Sequence, residues 1–136
     1  MPSMKIFDIA GSGMAAQSVR LNTVASNLAN AGNVSGDPNT VYKPVEPVFR
    51  TQPLDPAQPG IGGVRVMRIE QSQAEPLKRY EPGNPLADEQ GYVYAPDIDP
   101  VAQMVNMISA SRAYQADVEM LNTTKELALA TLNVGR

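Results

Sequence analysis

The sequence contains no cysteine, no histidine and no tryptophan. Without cysteine there is no disulfide, no thiolate nucleophile and no zinc–thiolate centre, and without histidine the commonest general base and transition-metal ligand is missing. The 11 lysines and arginines are scattered and the net charge is -3, so no basic surface suited to nucleic acid is expected. We therefore predict that the protein is not an enzyme and has no catalytic residue, cofactor, metal, nucleic-acid partner or small-molecule substrate.

Long apolar runs are missing too. None approaches the roughly 20 residues that a membrane-spanning helix needs. The segment after Lys5 has some features of a secretory signal peptide, but Asp8 interrupts it, and its apolar character stops at Gln17, before the small residues at 29–31 that would form a cleavage site. We expect no cleaved signal peptide, so any export needs another route.

Proline is almost absent from the two ends of the chain. Of the 12 prolines, only Pro2 lies outside residues 38–100, so helix is excluded from the middle and permitted at both ends. Within the middle, residues 42–50 are predicted to form an edge strand or an ordered loop, because prolines interrupt them. Residues 63–72 alternate and are rich in branched side chains, which predicts a strand, and weaker strands are expected at 77–80 and 91–95.

A seven-residue apolar repeat marks both ends. Residues at alternating steps of three and four lie along one side of a helix, as in the seam of a coiled coil. In the N-terminal region this predicted seam consists of Phe7, Ala10, Met14, Gln17, Leu21, Val24, Leu28 and Ala31. In the C-terminal region it consists of Met104, Met107, Ser111, Tyr114, Val118, Leu121, Lys125, Ala128 and Leu132.

The C-terminal helix has a clear start and a wide apolar face. Asp99 can cap it, and Pro100 suits the first helical position, where a missing amide hydrogen costs nothing. A second row, Val101, Val105, Ile108 and Arg112, runs beside the predicted seam. Such a face is too wide for one partner, so two neighbours fit it better than one. Two roles stay open for the seams: packing within a monomer, or forming walls between subunits.

The predicted fold is therefore mainly α with a small β region. Long helices in residues 1–33 and 100–136 pair as a coiled coil, and residues 34–99 form a proline-rich, β-containing middle. Residues 11–16 match the pattern G-x-G-x-x-A, but no strand is expected before them, so nucleotide binding is a weak alternative. Asp88, Glu89, Asp97 and Asp99 lack the spacing of a calcium loop and are interpreted as solvated charge and a helix cap.

Several segments resemble the flagellar basal-body rod protein family, on its proximal-rod branch. They are 27–31 followed by Tyr42, the stretches 80–85 and 91–92, and the C-terminal stretches 104–116 and 121–125. The residues that carry the motif are Asn27, Ala29, Asn30, Tyr42, Asn106, Ser109, Arg112, Gln115 and Asn122.

This resemblance implies a structural subunit of the bacterial flagellar proximal rod, located in the basal body and spanning the periplasm. It implies export by the flagellar type III apparatus, assembly through the terminal helices around a central channel, and an outward-facing middle. The implied partners are other copies of the chain, other rod proteins, the base of the rod near the MS ring and the export apparatus. Phe49 is a candidate for recognition at the export gate, although Pro53 stands where an aliphatic residue is expected. The alternative is a cytosolic coiled-coil adaptor.

Overall fold

The computed structural model describes residues 2–135 and consists of two long terminal helices joined by two small sheets. Its elements are α1 (Pro2–Asn30), β1 (Val45–Pro53), β2 (Gly62–Gln71), β3 (Leu77–Tyr80), β4 (Tyr92–Ala95) and α2 (Pro100–Val134). The prediction of a mainly α fold with a small β region is confirmed. β1 begins three residues later than the sequence predicts and continues through Pro53, whereas β2, β3 and β4 lie within a residue of their predicted bounds.

The start of α2 follows the predicted capping chemistry. The Asp99 carboxylate accepts a hydrogen bond of 2.9 Å from the Val101 amide, and Pro100 occupies the first turn. No proline or glycine interrupts the helix before Gly135, whose amide donates to the Thr131 carbonyl. The result is a helix of 35 residues.

The two helices pack side by side and antiparallel. Residue 27, near the end of α1, contacts Gln103 near the start of α2, and Gly13 lies against Asp117 further along. In the described part of the chain, α2 packs against α1 and against no strand, whereas α1 also contacts β1 and β2. α1 therefore lies between α2 and the first sheet.

The first sheet is a long antiparallel hairpin of β1 and β2. The partners of the neighbouring residues Val48 and Phe49 are Arg68 and Val66, so Met67 is the extra residue of a bulge in β2. The Ser12 hydroxyl of α1 accepts a hydrogen bond of 3.0 Å from the Val64 amide. A Cβ atom on Gly63 would lie 2.4 Å from that hydroxyl oxygen, so only glycine permits this close approach.

The second sheet pairs β3 with β4 beside the segment that follows α1. Ser35 and Tyr94 exchange backbone hydrogen bonds of 2.9 and 2.8 Å, which extends the pairing by one isolated bridge. Val93 on β4 is fully buried, and the Tyr80 and Tyr92 rings pack with centroids 5.2 Å apart. Gly91, which precedes β4, has φ of 83°, a left-handed conformation that favours glycine.

The buried core is small. Its apolar members among the described residues are alanines and valines: Ala10, Ala16, Val24, Val41, Val93, Ala95 and Ala110. Many larger apolar side chains, on α2 especially, remain exposed. Between residues 2 and 135, no helix has an apolar stretch long enough to cross a bilayer.

Candidate assembly site

Asn27 joins α1, β1 and α2 at one point. Its side chain is 1% exposed and makes four hydrogen bonds. The Oδ1 atom accepts from the Val45 amide and from the Tyr42 hydroxyl, each at 2.9 Å. The Nδ2 group donates to the Val45 carbonyl at 2.9 Å and to Gln103 Oε1 at 3.4 Å. Both ends of the amide are therefore satisfied, as a buried polar group requires.

The side-chain amide of Asn27 makes the hydrogen bonds to β1 that a neighbouring strand would make. Its amide bonds both the N–H and the C=O of Val45, on the side of β1 that lacks a strand partner, so the sheet edge is closed by a side chain. Tyr42 reinforces the connection, because its hydroxyl also lies 2.9 Å from the Ser26 hydroxyl. The motif residues Asn27 and Tyr42 thus dock the hairpin onto α1.

Polar and small residues continue along the helix pair. Arg20 donates to the Asn106 amide oxygen at 3.0 Å. At Gly13 the helices approach so closely that a Cβ atom would lie 2.6 Å from Asp117 Oδ2. Loss of solvation raises the pKa of the Asp117 carboxyl, because burial disfavours its charged form. The side-chain oxygen of Gln17 is buried without a hydrogen-bond partner among the described residues.

The predicted N-terminal seam lies on the inner sides of α1. Ala10 and Val24 are buried, and the rest are half-buried: Phe7, Met14, Gln17, Leu21, Leu28 and Ala31. None of them is exposed. The exposed row of α1 is instead formed mostly by small and polar residues, namely Met4, Asp8, Gly11, Ala15, Ser18, Asn22, Ala25 and Ala29.

The predicted C-terminal seam divides between two sides of α2. Half-buried members are Met107, Ser111, Tyr114, Val118, Leu121 and Ala128, whereas Met104, Lys125 and Leu132 are exposed. Because α2 packs only against α1 among the described elements, its buried side faces α1. The row on that side is Gln103, Met107, Ala110, Tyr114, Asp117, Leu121, Thr124 and Ala128. Sequence reasoning missed Gln103, Ala110, Asp117 and Thr124 because they are small or polar.

The second row of α2 lies on the side away from α1. Val101, Val105 and Ile108 are 67%, 61% and 55% exposed. Arg112, Gln115, Glu119 and Asn122 continue the same row at steps of three and four, and all are exposed. This side of α2 is an apolar ridge followed by polar residues, with no partner within the described chain.

The motif residues fall into two groups. Asn27, Asn30, Tyr42 and Asn106 make hydrogen bonds within the chain, Asn30 by donating to the Ser26 carbonyl at 2.8 Å. The other five are exposed: Ala29, Ser109, Arg112, Gln115 and Asn122.

Phe49 lies on β1 at the edge of a cleft of about 250 Å³ that Asn27, Gln103 and Asn106 also line. The Phe49 side chain is exposed. This cleft forms where α1, α2 and β1 meet.

The geometry of the described residues does not support nucleotide binding at residues 11–16 or a metal site at the acidic residues. Residues 11–16 lie in the interior of α1, so they provide no free helix N-terminus for a phosphate. Asp88 accepts hydrogen bonds from the amides of Gln90 and Tyr92, which assigns its carboxylate to shaping a turn. Within residues 2–135 no group of three or more acidic side chains is arranged to hold a metal ion.

Comparisons with known proteins match both helical ends and the full length. Residues 7–36 match the family described as flagella basal body rod protein, and residues 89–134 match the C-terminal region of the flagellar basal body rod FlgEFG proteins. The chain is 51% identical to the flagellar basal-body rod protein FlgC of Salmonella typhimurium and to that of Escherichia coli O157:H7, with all of each chain covered. It is 42% identical to FlgC of Aquifex aeolicus, over 93% of this chain and 92% of that protein.

The chain belongs to the FlgC family of flagellar basal-body rod proteins. Members of the FlgC family in these bacteria are structural proteins of the rod, so this chain is a structural rod subunit and not an enzyme. The predicted family is thereby confirmed, and the cytosolic adaptor is excluded as its function. The roles assigned to individual seam and motif residues stay predictions.

Proposed function

We propose that this chain is exported by the flagellar type III apparatus, without a cleaved signal peptide, and assembles into the proximal rod around a central export channel. Residues 1–33 and 100–136 form an inner coiled-coil domain, and residues 34–99 face outward. Its partners are other copies, other rod proteins, the base of the rod near the MS ring and the export apparatus. Membership of the FlgC family supports the location in the basal-body rod, and the exposed Phe49 is available to an export gate.

The observation that carries the assembly proposal is the exposed ridge of Val101, Val105 and Ile108. Burying one such side chain is worth about 1.5–3 kcal/mol, and α1 already occupies the opposite side of α2. The small intramolecular core gives the isolated helices little further stabilisation. A neighbouring subunit that covers the ridge supplies the missing burial.

The position of the ridge also favours growth into a tube. It faces away from α1, so each α2 has one side for its own chain and another for a neighbour. The proposed assembly has the ridge of one copy meet a different surface of the next, which makes the contact heterologous, and such contacts extend as helical assemblies when the rotation does not close.

The test is Ile108→Asp, with Ile108→Val as the matched control. Ile108 is exposed in the monomer, so the aspartate leaves the fold intact, but it places a charge inside the proposed contact. We expect Ile108→Asp cells to synthesise and secrete the chain while their basal bodies lack complete rods, and Ile108→Val cells to assemble normally. Normal rods in Ile108→Asp cells, seen by electron microscopy of isolated basal bodies, would contradict the proposal.

A further inference from the structure

The β1–β2 hairpin carries two like-charged pairs of opposite sign. Arg50 of β1 lies directly across from Arg65 of β2, and Glu46 lies directly across from Glu70. Like charges at opposed positions of an antiparallel pair are destabilising. The two pairs are four residues apart along β1, about 13 Å, so one end of the hairpin is basic and the other acidic.

The basic end forms an open face. Arg50 and Arg65 line a cleft of about 260 Å³ together with Gln52 and Met67, and no acidic residue lines it. Neither arginine takes part in an ion pair within the described residues. Met67, the extra residue of the bulge in β2, is 48% exposed at the same cleft. This basic face (Arg50, Arg65 and Met67) therefore combines positive charge that has no ion pair among the described residues with accessible apolar surface.

The acidic end opens into a second, larger cleft. It has a volume of about 450 Å³, lies between the hairpin and the start of α2, and has no lysine or arginine in its lining. Its carboxylates are Glu46, Glu70, Asp97 and Asp99. Glu70 pairs with Arg68 and Asp99 caps α2, which leaves Glu46 and Asp97 exposed and without an ion pair among the described residues.

We infer that the basic face of one copy docks into this acidic cleft on a second copy. The two surfaces differ in sign, and each brings like charges together in the isolated chain, so a neighbour of opposite charge offsets the repulsion in both. Because they lie at different places on the same hairpin, the contact is heterologous and propagates from copy to copy. This inference rests on the proposed function, since it names a contact between assembled rod subunits outside the helical wall.

Cysteine cross-linking tests this contact, and because the chain has no cysteine of its own, only the introduced cysteines of this chain can form disulfides. Gln52 lies at the basic cleft and Gln73 at the acidic one, and both are exposed. In basal bodies isolated after mild oxidation, the double variant Gln52→Cys, Gln73→Cys should give dimers and higher multimers of this chain. Each single variant is the control and should give no multimer beyond a dimer.

Charge-reversal variants then distinguish loss of the contact between copies from loss of folding. Arg65→Glu places a glutamate opposite Arg50 and removes a like-charged pair, so the isolated monomer should be at least as stable as the parent, whereas the multimer yield should fall about tenfold or more. Glu46→Lys, opposite Glu70, should behave in the same way from the other side. Reversing both surfaces together, with Arg50→Glu, Arg65→Glu, Glu46→Lys and Asp97→Lys, should restore the multimers.

Three results would overturn the inference. They are absence of multimers in basal bodies that contain the normal amount of chain, multimers insensitive to Arg65→Glu, and cross-links that join the two introduced cysteines only to a different rod protein. In each of these the proposed function still stands. Absence of the unsubstituted chain from basal bodies would instead overturn the proposed function, and this contact with it.

Discussion

Replacing Asn27 with alanine should be among the most destabilising substitutions in this chain. Three of its hydrogen bonds are 2.9 Å long and one is 3.4 Å. A net contribution of about 1 kcal/mol for each short bond gives roughly 3 kcal/mol. Tyr42 keeps its hydrogen bond to Ser26, but the N–H and C=O of half-buried Val45 lose their side-chain partner, so we expect a total loss of about 3–4 kcal/mol. Small domains have only about 5–15 kcal/mol in all.

Urea unfolding of the purified chain, followed by circular dichroism, measures this loss, and hydrogen exchange at the Val45 amide reports the local contact. The matched control is Asn22→Ala, an exposed asparagine on the same helix, which should change the stability by no more than about 0.5 kcal/mol. If Asn27→Ala does not fold, Asn27→Asp still tests the reasoning, because it keeps the acceptor and removes the donor to the Val45 carbonyl. A loss below about 1 kcal/mol for Asn27→Ala, or unchanged Val45 exchange, would refute the role of Asn27 as the closing group of the sheet edge.

Two further predictions concern α1. Gly11→Ala should stabilise the chain by about 0.5–1 kcal/mol, because nothing lies within 4 Å of the added methyl group, and Gly13→Ala should gain less, because its Cβ displaces Asp117. An equal or larger gain at Gly13 in urea unfolding would show that the helices do not approach closely there. The Ala57 amide and the Lys5 ammonium both lower the pKa of the Asp55 carboxyl. The Lys5–Asp55 contact should therefore stabilise the fold at pH values above the unfolded-state pKa of about 3.9. This stabilisation should be lost as the pH falls through the lower pKa of the folded state. Asp55→Asn should flatten this acid-dependent decline, and an unchanged acid titration of unfolding would count against the contact.

The helix ends and most strands were predictable because their signals are local. Asp99 and Pro100 start α2 through the chemistry of a free helix terminus, and β2 follows from alternation of branched residues. The motif that contains Asn27 was visible as a resemblance, but its role was not. Only the folded chain brings Asn27, Tyr42, Val45 and Gln103 together, because those contacts span long sequence separations.

What the sequence by itself determined is the division of the chain: long amphipathic helices at the ends, a proline-rich β middle, and a family identity carried by motifs in both helices. The tertiary structure decided which side of each helix is used. The seven-residue spacing predicted Met104, Lys125 and Leu132 as members of one seam, yet these side chains are exposed. α2 turns Ala110, Asp117 and Thr124 toward α1 instead, because short side chains permit a close approach that long ones prevent. Its Val101–Ile108 ridge is left exposed as a result. The opposed charged pairs on the hairpin likewise exist only after strand pairing, which places Glu46 beside Glu70 and Arg50 beside Arg65.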